Sequence, residues 1–131
     1  MATSGKLSMT VIEAKLTRDT DFWTKMDPWV QIEMRNFKAR TKTKQSAGKT
    51  PKWDETFNID VKYIGDDMKL TVMDEDVVSH DKVAETTIKV SSLCMNGGID
   101  EWFPVYHKGK CAGHLRLKGV WKPGVAQAAQ Q

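Results

Sequence analysis

Two short acidic stretches hold the residues of this 131-residue chain best suited to chemistry. The first, TRDTDFWTKMDPWV, carries Asp21 and Asp27; the second, VMDEDVVSHDK, carries Asp74, Glu75, Asp76 and Asp81. Asp74 and Asp76 flank Glu75 at the end of an alternating stretch, so both project toward one side. Carboxylates gathered at one end of a small domain repel one another unless a cation neutralises them. A flexible set of hard oxygen donors suits Ca²⁺, which accepts about six to eight oxygen ligands. Spacing alone leaves a second reading open, in which these are solvated loop aspartates that never meet. A general acid/base pair is a third use of carboxylates. However, nothing nearby builds an enclosed pocket, and no Ser-His-Asp or Cys-His arrangement has a supporting local context. An enzyme is not expected.

A basic constellation follows the first acidic stretch. In NFKARTKTKQ, Lys38, Arg40, Lys42 and Lys44 share one parity and hence one face of a strand. Such a row repels itself, and an anionic membrane would relieve it by about 1 kcal/mol per residue. A solvated outer face is the alternative. Nucleic acid is not expected as a partner, because no aromatic platform is interleaved with these cations. AGKTPK resembles the tail of a phosphate-binding loop, but Pro51 forbids the helix that must follow. His107, Cys111 and His114 make a weak zinc set, with three ligands on one hairpin and no fourth.

The elements that must carry these residues have a period of two. Leu7, Met9 and Val11 alternate with polar neighbours, as do Val30, Ile32 and Met34, Phe57, Ile59 and Val61, and Met68, Leu70 and Val72. Turn-forming clusters separate them: SAGKTP, YIGDD, NGG and HKGK. Strands are predicted at roughly 6–14, 28–36, 38–45, 53–61, 67–74, 83–90, 101–106 and 112–120. With no long helical pattern, this spacing predicts an all-β fold, an eight-stranded antiparallel β-sandwich. A short helical turn fits SSLCM, and Trp53, Trp102 and Trp121 are expected to pack in or beside strands. One domain over residues 1–122 is expected, followed by a flexible tail at 123–131. The opening MATSGKLSMTV has no apolar run of signal-peptide length, and no segment approaches a membrane span. Cys94 and Cys111 are therefore expected as free thiols in a reducing, cytoplasmic setting.

Four stretches, in order, carry a family resemblance: the strand LSMTVIEAKL, an Asp six residues before DPWV, then GKTPKWDETFNI, then LTVMDEDVVSHDKVAE. Each is weak alone, but together they resemble a C2 domain over about Gly5 to Trp121, with the type II circular order. The resemblance implies calcium held by Asp21, Asp27, Asp74, Asp76 and Asp81, the loop between the last two being about one residue shorter than the family pattern. It implies reversible docking on anionic phospholipid, with phosphatidylserine and phosphoinositides as candidate lipids and Lys38, Arg40, Lys42 and Lys44 as headgroup contacts. It also gives an account of the aromatic pair in the first acidic stretch. If Asp21 and Asp27 hold calcium, Phe22 and Trp23 stand at the tip beside Val77 and Val78, placed to enter a membrane interface. The protein would then be cytoplasmic and become peripheral to the membrane on binding calcium. A calcium-independent scaffold that binds a protein partner is the competing function. Such a scaffold has no physical need for the five aspartates.

Overall fold

Alternation becomes strand throughout the chain. In the computed structural model, residues 2–20, 24–75 and 80–124 are described. The strands are β1 (Gly5–Leu16), β2 (Pro28–Met34), β3 (Phe37–Arg40), β4 (Lys52–Val61), β5 (Asp67–Glu75), β6 (His80–Lys89), β7 (Gly98–His107) and β8 (Lys110–Pro123). All pairings are antiparallel, in the order β3-β2-β5-β6-β7-β8-β1-β4. β6 and β7 meet at a single residue pair, Glu85 opposite Tyr106, so the order falls into two four-stranded halves joined at one seam. This is the expected eight-stranded antiparallel sandwich. SSLCM forms two short 3₁₀ turns, Val90–Leu93 and Met95–Gly97.

The apolar parity of each strand supplies the core. Leu7, Met9, Val11, Ile59, Leu115 and Leu117 come from one half, and Val30, Ile32, Met68, Leu70, Val72 and Val83 from the other. Each such side chain contributes about 1.5–3 kcal/mol by leaving water. In β1 the alternation breaks once. A bulge between Val11 and Glu13 buries Ile12 beside Val11 and moves Ala14 and Leu16 inward in place of odd-numbered residues.

The third strand is shorter than its sequence suggests. It ends at Arg40, because buried Thr41 substitutes its side chain for a backbone acceptor: Val30 N–H donates to Thr41 Oγ1 at 2.9 Å. Thr41 N–H still donates to Val30 O (2.9 Å), and the ladder resumes only at Lys44 N–H to Pro28 O (3.0 Å). Strand parity therefore applies to Lys38 and Arg40. Lys42 and Lys44 follow in an irregular segment, Lys42 exposed and Lys44 half-buried.

At the opposite end β8 outruns the expected boundary, reaching Pro123, and Gly124 N–H donates to Ser4 O at 2.7 Å. The rest of the expected tail, from residue 125, lies outside the described residues. Of the tryptophans, Trp53 is buried and donates Nε1–H to Pro28 O (3.1 Å), and Trp121 packs against the core. Trp102 faces outward, 38% exposed, with Lys15 Nζ 4.9 Å from its ring centre. No described helix is long and apolar enough to cross a membrane.

Candidate functional site

Three of the sequence-selected aspartates lie at the adjoining ends of β2, β5 and β6. Asp74, next to last in β5, lies opposite Pro28 of β2 on one side and Asp81 of β6 on the other. A directly opposed pair of like charges is destabilising in a sheet. Asp74 is fully buried. Among the described residues, Asp27 N–H donates to Asp74 Oδ1 (2.8 Å) and Thr20 Oγ1–H to Asp74 Oδ2 (2.7 Å), which orients both oxygens. A carboxylate has about four acceptor positions, so this orientation leaves capacity for another positive partner. Asp27 is fixed in turn, its Oδ1 accepting Ser46 N–H (2.6 Å) and its carbonyl accepting Glu75 N–H (3.0 Å).

The loop that delivers Asp27 is anchored by Met26. Its side chain is fully buried, and its sulfur accepts the Thr20 N–H at 3.4 Å. Met26 O accepts Gly48 N–H at 2.9 Å, which ties the first loop to the β3–β4 connection. One apolar residue among polar neighbours in TKMDPWV thus sets the position of the aspartate after it.

Arg40 bridges the acidic end and the basic stretch. Its guanidinium lies flat over Trp29, with Cζ 3.7 Å from the ring centre, and Trp29 is only 7% exposed beneath it. Arg40 Nη2 also donates to Thr43 Oγ1 (2.9 Å) and to Glu75 Oε1 (3.3 Å), an oxygen that accepts Thr43 Oγ1–H as well (2.8 Å). Arg40 is therefore engaged within the protein while still exposed, and Lys38 and Lys42 are exposed as well. On the other side of the site Glu85 sits between Lys82 (3.2 Å) and Lys69 (3.4 Å), and its hydrogen bond with Lys82 holds its carboxyl below the usual range.

Asp21, Asp76, Phe22, Trp23, Val77 and Val78 lie outside the described residues. Among the described residues, no three His, Cys, Asp or Glu side chains form a group able to hold a metal by themselves. Sequence reasoning missed Thr20, Ser46, Arg18 and the Arg40–Trp29 stack. Only Ser46 left a local sign, its place in the turn-rich QSAGKT, where it adopts a positive φ of 56°.

Comparison with known proteins bears on this arrangement directly. The sequence model of the C2 domain matches residues 5–105, most of the chain. The chain belongs to the C2 domain family. As a C2 domain it falls in a class of membrane- and lipid-binding modules. It is similar to the 16 kDa phloem protein 2 of Arabidopsis thaliana, 33% identical over 96 residues, covering 72% of this chain and 65% of that protein's length. Among solved structures it is similar to a C2 domain-containing protein from a putative elicitor-responsive gene, 30% identical with a TM-score of 0.78, covering 93% of this chain and 91% of that one. The fold is shared with the calcium-bound C2A and C2B domains of Extended-Synaptotagmin 2, at a TM-score of 0.80 and 23% identity over 92% of this chain and 46% of that one.

Proposed function

We propose that this C2 domain is a calcium-dependent binding module for anionic phospholipid membranes, and not an enzyme. The observation that carries the reading is the placement of Asp81 directly opposite buried Asp74, with the Asp27 peptide bonded to the same carboxylate. The donor chemistry fits calcium: the carboxylates are hard oxygen donors, and a buried Asp74 opposed by a partly buried Asp81 is unfavourable until a cation joins them. Asp27, Asp74 and Asp81, with Asp21 and Asp76, would hold the ion. When bound, calcium supplies positive charge and open coordination positions for phosphate oxygens.

The chain's own residues do the rest. Without a cation, the aspartates repel a negative surface. Thr20 and the Asp27 N–H hold Asp74 in its binding orientation, which limits the ordering needed when the cation arrives. Lys38, Arg40, Lys42 and Lys44 supply headgroup attraction in this reading. Arg40 already shares its charge with Glu75, whereas Lys38 and Lys42 are exposed and carry the larger share in this reading. Phe22, Trp23, Val77 and Val78 supply apolar contact with the membrane interface.

Co-sedimentation with vesicles tests the reading. The protein is expected to pellet with phosphatidylserine- or phosphoinositide-containing vesicles in calcium and to stay in solution with chelator or neutral vesicles. Trp23→Ala should pellet less at the same calcium occupancy. Equal pelleting with and without calcium removes the calcium dependence, and no pelleting under any condition favours a protein-binding scaffold.

A further inference from the structure

The turn between β7 and β8 lies at the same end of the sandwich as Asp27, Asp74 and Asp81. Thr17, which leads into the first acidic loop, donates its N–H to Ala112 O (3.0 Å), two residues beyond Lys110. Arg18 Nη1 donates to Lys82 O (3.2 Å), and Lys82 directly follows Asp81. Arg18, Lys82, Lys108 and Lys110 are thereby gathered from three separate parts of the chain. Among the described residues only Lys82 of these four has a carboxylate partner, Glu85, and it shares that carboxylate with Lys69. His107, at the start of the turn, sits in the resulting field. Partial burial, then the positive charges of Arg18, Lys108 and Lys82, hold its imidazole below the ordinary range against an opposing pull from Glu85.

The turn itself supplies an independent observation. His107 pairs with Lys110, which leaves a two-residue loop with positive φ at both positions, 51° at Lys108 and 80° at Gly109. Loops of this kind favour Asn-Gly or Asp-Gly, because a long side chain in the left-handed region carries a steric cost. Lys108 is exposed, and among the described residues no acid pairs with it, so neither turn geometry nor packing requires lysine there. Its charge thus has no structural role in the turn.

We propose that the β7–β8 turn is an anionic-lipid contact in its own right, with Lys108 and Lys110 meeting headgroup phosphates at the rim of the aspartate end and Arg18 and Lys82 behind them. Lys108 and Lys110 belong to the half of the sandwich that does not contain β3, so the turn is separate from the Lys38–Lys44 stretch, while Lys82 backs it from β6 of the other half. The inference rests on the membrane-docking reading above. It adds a second basic footprint, so that cations flank the aspartate end on both sides and orient it toward the membrane.

The turn chemistry makes the test selective. Lys108→Asn removes the charge while suiting the loop, and Lys110→Gln removes the second. In calcium, the double variant is expected to bind phosphatidylserine vesicles about tenfold or more weakly, since each cation near an anionic surface is worth about 1 kcal/mol. Its melting temperature should equal or exceed the parent's, and its calcium affinity in solution should be unchanged. The Lys108→Arg/Lys110→Arg variant should bind as the parent does. Cys111 offers a probe on the same hairpin, because its thiol is exposed whereas burial pushes the Cys94 thiol up to about 11. An environment-sensitive dye on Cys111 should shift to the blue when vesicles bind. A double variant with parental vesicle affinity overturns the proposal, and so does a dye unmoved by vesicles that the protein has bound. If the parent itself fails to bind anionic vesicles in calcium, the membrane-docking reading falls and this proposal with it.

Discussion

The two acids that face each other across β5 and β6 have opposite roles in the stability of the free protein. Asp74 is buried and gives an acceptor to both Thr20 and the Asp27 N–H, so it organises the loop even without a cation. Asp81 stands opposite it and is only partly buried, so in calcium-free buffer it contributes repulsion. Asp74→Ala should therefore destabilise the calcium-free protein by about 1–3 kcal/mol, the cost of leaving buried donors unmatched. Asp81→Asn should leave calcium-free stability equal or raise it. If calcium binds as proposed, both variants should lose the stabilisation expected from it. Denaturant unfolding with and without calcium measures all four quantities, and a large calcium-free loss in Asp81→Asn would contradict the assignment.

At the scale of the strand, a single hydroxyl decides where β3 stops. Thr41 is buried, and its Oγ1 accepts the Val30 N–H in place of a carbonyl while donating to Lys42 O at 3.0 Å. Thr41→Val keeps the shape and β-branching but leaves that N–H with no acceptor, at a cost of about 1–3 kcal/mol. Thr41→Ser should recover most of the loss. The same substitution tests the geometry of the basic stretch, because Lys42 and Lys44 owe their position to the break at Thr41. Weaker phosphoinositide binding in a Thr41→Val protein that remains folded, with calcium affinity unchanged, is the expected result. The Arg40–Trp29 stack should survive it, since Arg40 lies within the ladder opposite Gln31.

Across the whole molecule, the acidic end is joined to both halves of the sandwich. Asp27, Asp74 and Asp81 belong to the half containing β2, β5 and β6, while Arg18 follows β1 and Lys108 and Lys110 flank the tip of β7–β8. A ligand that binds only the folded arrangement should therefore stabilise the protein globally. At a hundredfold excess over Kd the gain is about 2.7 kcal/mol. Calorimetry should show a single transition that moves upward with calcium. An unchanged transition, with no heat of binding, would remove the calcium reading and promote the scaffold.

Local chemistry made much of this legible in advance. Alternation in stretches such as Leu7–Val11 and Met68–Val72 determined strands and their buried faces, because the side-chain period of a strand is a property of its own backbone. Four stretches in order along the chain pointed to the family, and the resemblance they carry to Asp21, Asp27, Asp74, Asp76 and Asp81 as one set, of which Asp27, Asp74 and Asp81 fall among the described residues. The register of β5 against β6 decided that Asp81 faces Asp74 and not the other side of the sheet, since a slip of one residue reverses every side chain. The bulge at Ile12 and the end of β3 at Thr41 also lay beyond local pattern, because each depends on a partner strand that supplies or withholds a hydrogen bond. The basic rim is the clearest case. Arg18, Lys82 and the Lys108–Lys110 turn have no shared motif, and only the pairing of β1 with β8 and the seam between β6 and β7 bring them to one end. Contacts at such separations are set by the closure of the whole sheet, and no window of the sequence contains both sides of them.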